Sequence, residues 1–175
     1  MRKKIFILFL ILIPINAFAL TRAPIDITNE TVTSLSQALN EEIITSEQLI
    51  NIYLERINEY NAQYDALITI NENAINEAKE LDEERQNGNI KSAFHGIPII
   101  VKDNIDVLGT ATTAGSKALS DNYPNEDALI IQKLKDAGAI IIAKANMSKF
   151  AFYASSSSSD YGTVKNAYNL AYSSY

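Results

Sequence analysis

The chain has 175 residues, 47% hydrophobic and 21% charged, with no cysteine, no tryptophan and one histidine. That length supports one domain or part of a larger one, and the composition excludes a disulfide framework, a thiolate nucleophile, cysteine-held metal sites and the H-E-x-x-H zinc pattern. The formal net charge is −6, and residues 1–19 hold Arg2, Lys3 and Lys4 without an acid, so the body is more acidic still. An acidic body without a basic stripe argues against nucleic acid or an anionic membrane surface as partner.

Arg2-Lys3-Lys4 precedes an apolar run, Ile5 to Ile15, broken only by Pro14, and Ala17-Phe18-Ala19 has the small-x-small form of a cleavage site. The run falls short of the roughly 20 residues a bilayer crossing needs. Residues 1–19 therefore read as a secretory signal peptide cut after Ala19, with export to a periplasmic or extracellular location and no membrane contact after cleavage. Thr33 to about Asn40 suits a short helix, with Leu35 and Leu39 on one face. Thr45-Ser-Glu-Gln48 has the form of a capping box. Leu49, Ile50, Tyr53, Leu54, Ile57 and Tyr60 follow it at helical spacing. Ala66 to Ile70 is a short β-prone run. Residues 73–87 predict a third helix with Ala74, Ala78 and Leu81 inward and Gly88 as its stop.

The character changes at Ser92. Gly96 to Val101 is almost wholly apolar and rich in β-branched residues, which predicts a strand buried on both faces with Pro98 near its start. Residues 110–124 read as loop. Asp127 to Ala137 predicts a helix with Leu129, Ile130 and Leu134 on one side and Gly138 closing it. Ala139 to Ile142 predicts a second buried strand. Strand–helix–strand order indicates an α/β arrangement. The organisation expected is signal peptide 1–19, helical leader 20–91 and α/β core 92–175.

Lys102 carries the most chemical information. A lysine after five buried-type residues starts in low dielectric, where burial lowers the amine pKa and makes a base of an inert cation; pairing with Asp103 or reaching solvent is the structural alternative. Ser155 to Ser159 reads as a flexible loop or as a serine-lined pocket wall. His95 is expected to serve as a hydrogen-bonding group where the chain enters the strand. Asn29 and Asn146 fit the N-glycosylation pattern, which matters only in a eukaryotic secretory pathway.

The order of these signals resembles the amidase signature family of serine hydrolases. The matching text is His95-Gly-Ile-Pro-Ile-Ile-Val-Lys-Asp-Asn104, Thr112-Thr-Ala-Gly-Ser116, Asp127 through Met147, and Tyr161-Gly162-Thr163 with Asn166. Ile44-Thr45-Ser46-Glu47 resembles a turn of the family's N-terminal leader. The resemblance implies an α/β fold in which N-terminal helices precede part of a mixed β-sheet core flanked by helices. It also implies a Ser–cis-Ser–Lys triad with Lys102 as base, acting on a small amide substrate through an acyl-enzyme, with no metal or organic cofactor.

The family's bridging serine and nucleophile lie in glycine-rich segments after the stretch that Asn166 to Tyr175 resembles, so neither serine is matched here. Ser173 and Ser174 lack the glycine neighbours. Ala143 and Ala167 stand where the family commonly has glycine and proline. The expectation is the N-terminal part of an exported amidase, holding the base and inactive by itself, with a complementing C-terminal polypeptide as possible partner. The alternatives are a non-catalytic binding module that keeps the scaffold, and an enzyme that uses Ser155–Ser159 as relay and nucleophile.

Overall fold

The computed structural model describes residues 25–152 and 158–174. The expected signal peptide, its cleavage site and residues 155–157 of the serine run lie outside the described residues.

Local signals set the helices. Helix α1, Val32–Asn40, buries Leu35, Ala38 and Leu39. Helix α2, Ser46–Tyr64, starts at the capping box read from the sequence: the Thr45 hydroxyl accepts from the Gln48 N–H, and the Gln48 side chain accepts from the Thr45 N–H. A second cap comes from a distant element. The Asp82 carboxylate accepts from Ser46 N at 2.7 Å and Glu47 N at 2.9 Å, placing a negative charge on the positive end of the helix dipole. Asp82 sits on α3, Ala74–Gln86, whose buried face is the expected Ala74, Ala78 and Leu81.

Helix α4, Leu129–Asp136, ends in a Schellman motif: Gly138 N–H donates to Lys135 O and Ala139 N–H to Leu134 O. Gly138 has φ +88°, and a β-carbon there would lie 2.8 Å from His95 Cα, so conformation and space both call for glycine. The inward face of α4 differs from expectation. Ile131 is fully buried, whereas Leu129 and Ile130 are 67% and 55% exposed. The helix turns Ala128, Ile131 and Leu134, three residues apart, onto the sheet, and leaves its first two apolar residues outside.

Strands β1, Leu67–Ile70, β2, Pro98–Lys102, and β3, Ile140–Ala145, form a mixed sheet in the order β1-β3-β2. β1 pairs antiparallel with β3, and β2 pairs parallel with it across α4. Residues from both the leader and the core stretches thus share one sheet. α2 and α3 cover one face through Ile50, Ala74, Ala78 and Leu81 against Ile140, Ile142 and Ala143. On the other face α4 presses Ile131 against Val101, Val107 and Ile141. A separate hairpin joins β4, Lys165–Asn166, to β5, Asn169–Ser173.

Two strand expectations need correction. β3 is the strand buried on both faces, and it runs on to Ala145. β2 lies at the edge of this sheet with one face covered. Val101 is buried, but Ile100 is 48% exposed and Lys102 is exposed, because α2 and α3 press on their face over β3 and α2 stands across a groove from β2.

Candidate functional site

Lys102 ends β2 and projects on the side opposite Val101 and Asp103. The desolvation expected of it is absent, since its side chain is exposed and makes no hydrogen bond among the described residues. Earlier on the same strand, an apolar groove of about 820 Å³ runs between α2 and the β2 side of the sheet, lined by Tyr53, Ile57, Tyr60, Tyr64, Pro98 and Ile100.

The neighbouring residue is fixed at every polar atom but one. Asp103 N–H extends the ladder to Ala145 O, and its carbonyl accepts from Ala114 N–H. Its Oδ2 accepts from Thr113 N at 3.1 Å, from the Thr113 hydroxyl and from Gly115 N at 3.4 Å. Ala114 and Gly115 both have positive φ, +50° and +72°, which curls the loop so that its N–H groups converge on the carboxylate. Gly115 is required there: a β-carbon would lie 2.5 Å from Met147 O. The remaining oxygen, Oδ1, makes no hydrogen bond and faces Lys144 Nζ at 3.4 Å.

Lys144 is 1% exposed, a lysine inside a strand of isoleucines and alanines. Its ammonium also lies 3.3 Å from Ala111 O and from Thr112 Oγ1. Desolvation holds its amine below the ordinary lysine value, and the Asp103 carboxylate opposes that shift. A strand irregularity aims it. Ile99 and Ile100 are consecutive on β2, but they pair with Ile141 and Ala143, so β3 carries an extra residue. Ile142 and Ala143 consequently both face α2 and α3, and the next residue, Lys144, turns to the side of Asp103. The sequence motif draws attention to Lys102 and away from this pair. The pair's own signal is a lone lysine within an apolar run, which demands a buried partner.

The loop 111–117 also holds the flanks of the serine run. Phe150 N–H donates to Ala114 O, Asp160 N–H to Gly115 O, and Lys117 N–H to the Asp160 carboxylate, which pairs with Lys149 at 2.6 Å. The hydrogen bond from Lys149 is the largest of the effects that hold the Asp160 carboxyl below its ordinary value. Of the serines, Ser158 Oγ accepts from Lys149 N and Ser159 Oγ donates to Asn146 Oδ1 at 2.6 Å. Asn146 is a structural clasp, since its amide nitrogen donates to Asp65 O and Gly162 O. Ser173 closes β5, and Ser174 N–H donates to Val164 O.

His95 lies apart from Lys102 and is buried. Its Nδ1 accepts from Lys91 N–H at 3.3 Å, which leaves Nε2 as the donor to Leu81 O at 2.9 Å. It is the hydrogen-bonding group expected from the sequence. No cluster of three metal-ligating side chains exists among the described residues, and none of their helices is long and apolar enough to cross a membrane.

A family model described as Amidase matches residues 48–174. The chain is 39% identical over 142 residues to a glutamyl-tRNA(Gln) amidotransferase subunit of Thermoanaerobacter pseudethanolicus, covering 81% of this chain and 29% of that protein. Among solved structures it is similar to the native peptide amidase of Stenotrophomonas maltophilia, with a TM-score of 0.79 and 34% identity, covering 84% of this chain and 32% of the other. The corresponding glutamyl-tRNA(Gln) amidotransferase subunit of Thermotoga maritima gives a TM-score of 0.68 at 28% identity, covering 84% and 29%. The chain thus spans about 30% of the length of the relatives it matches.

Proposed function

This chain belongs to the amidase family, and from that premise we propose that it forms the N-terminal part of an exported enzyme that hydrolyses carboxylic amide C–N bonds, with Lys102 as general base. The observation that supports the assignment is the strand end itself. Lys102 stands on an uncovered face at the end of β2, while the next residue is tied down by the loop 111–115 and by Lys144. A reacting group needs this combination of a rigid origin and an accessible tip.

In the proposed reaction a serine hydroxyl attacks the amide carbonyl while its proton passes through a second serine to the Lys102 amine. The tetrahedral intermediate collapses to an acyl-enzyme, and the leaving amine takes the proton back along the same relay. Water then hydrolyses the ester with the relay running again. Covering the face shared by Ile100 and Lys102 would take the amine out of water and favour the uncharged form that accepts a proton. Neither serine is matched in these 175 residues, so this polypeptide by itself is expected to be inactive. A small amide is the proposed substrate class, and a polypeptide carrying the serines the proposed partner.

The test is hydrolysis of a simple aryl amide by residues 20–175 alone and by a fusion to the segment that follows the matched region in the Stenotrophomonas maltophilia peptide amidase. Turnover is expected only from the fusion, with a loss of roughly 10²–10⁴-fold in Lys102→Ala. A fusion that turns over equally well without Lys102 overturns the assignment. Export is tested separately by the mass of the mature protein, which should begin at Leu20.

A further inference from the structure

The apolar run before Lys102 has a weakness. Ile97-Pro-Ile-Ile-Val101 contains no alternation of polar and apolar residues, and a one-residue slip of a strand exchanges its two faces. Hydrophobic burial alone therefore does little to decide whether Lys102 or Asp103 points inward. The register against β3 is already irregular between Ile99 and Ile100, just upstream. Something after the irregularity must fix it again.

We propose that the buried Asp103–Lys144 pair is that lock, making both residues positioning residues for Lys102; this rests on the reading of Lys102 as the general base. With Asp103 inward, its carboxylate meets the Thr113 and Gly115 N–H groups and the Lys144 ammonium. Slipped by one, β2 would bring Lys102 against Lys144 in the interior and leave two cations without a counter-ion, while the loop's N–H groups would lose their acceptor. A hydrophobic pair of similar volume would fill the space but would not tell the two registers apart. The β3 bulge belongs to the same device, because strict alternation would have turned Lys144 toward α2 and α3.

The experiment measures acylation of individual lysines in the full chain by an N-hydroxysuccinimide ester, read by peptide mass spectrometry, with exposed Lys79 and Lys133 as internal references. In the unaltered chain Lys102 should react like the references and Lys144 should be protected. In Lys144→Met the Lys102 rate should fall at least fivefold relative to Lys79 and Lys133, and Lys144→Arg should restore it. Should Lys144→Met fail to fold, the uncharged pair Asp103→Asn/Lys144→Met decides. It is expected to fold and still show the selective loss at Lys102. Unchanged Lys102 reactivity in a folded variant overturns the lock, as does collapse of the uncharged pair, since a lock on register does not predict it. Labelling reports orientation whether or not Lys102 is a base, and amide turnover by the fusion reports the base, so the two claims fail separately.

Discussion

Lys144 holds a charge where a methionine or leucine would meet no desolvation penalty, and its cost depends on pH. Its amine is held below the ordinary lysine value of 10.5, chiefly by burial. Between the lowered value and 10.5 the unfolded chain binds more protons than the folded one, so stability should rise with pH across that window. The penalty is fully present below the lowered value and gone above 10.5. Urea midpoints of the unaltered chain, referred to those of Lys102→Met/Asp103→Asn/Lys144→Met at each alkaline pH, should show the rise; a flat difference would contradict it. Lys144→Met alone removes the counter-ion that the buried Asp103 carboxylate faces and should cost about 3–5 kcal/mol, most of it recovered in the uncharged triple variant. The motif around Lys102 could be read because it is contiguous, whereas the Asp103–Lys144 pair could not, since the two residues are 41 positions apart and meet only through a bulge that composition does not announce.

Helix ends divide along the same line between local and distant causes. The Thr45 capping box and the Gly138 stop could be read because every group involved lies within a few residues. The Asp82 cap could not, because the carboxylate arrives from another helix. Asp82→Ala should lower stability by about 1–2 kcal/mol in denaturant unfolding, and Asp82→Asn by less, since an amide oxygen still accepts one bond. The end of α1 uses the Schellman pattern too, with Glu42 N–H donating to Leu39 O and Ile43 N–H to Ala38 O, but with Glu42 at φ +55°. A glycine suits that conformation, so Glu42→Gly should stabilise the chain by roughly 0.5–1 kcal/mol despite the greater freedom of the unfolded glycine. α4 misled for a different reason. Leu129, Ile130 and Ile131 are consecutive, and eight residues give too few turns for periodicity to choose among them.

At the scale of the molecule, the mixed sheet with its helical cover was legible from the order of motifs, and what surrounds β2 was not. The apolar run predicts burial on both sides, whereas the described residues cover one, leaving Ile100 beside an open groove on an edge strand. An edge with an apolar face is a template for pairing with another chain. The part-enzyme reading therefore expects the purified polypeptide to self-associate at micromolar to millimolar concentration, whereas a self-sufficient binding module should remain monodisperse with one cooperative melt. Ile100→Lys distinguishes association through this face from general stickiness. The side chain is already half exposed, so the substitution should cost no more than about 1 kcal/mol in the monomer. A charge on the edge should nevertheless suppress association measured by sedimentation velocity. The same substitution at Ile130, exposed on α4, which packs on the opposite face of the sheet, should leave association unchanged. If both substitutions act equally, or if the unaltered chain shows no association, the open face of β2 is not what the polypeptide uses, and the module reading gains the ground that the part-enzyme reading loses.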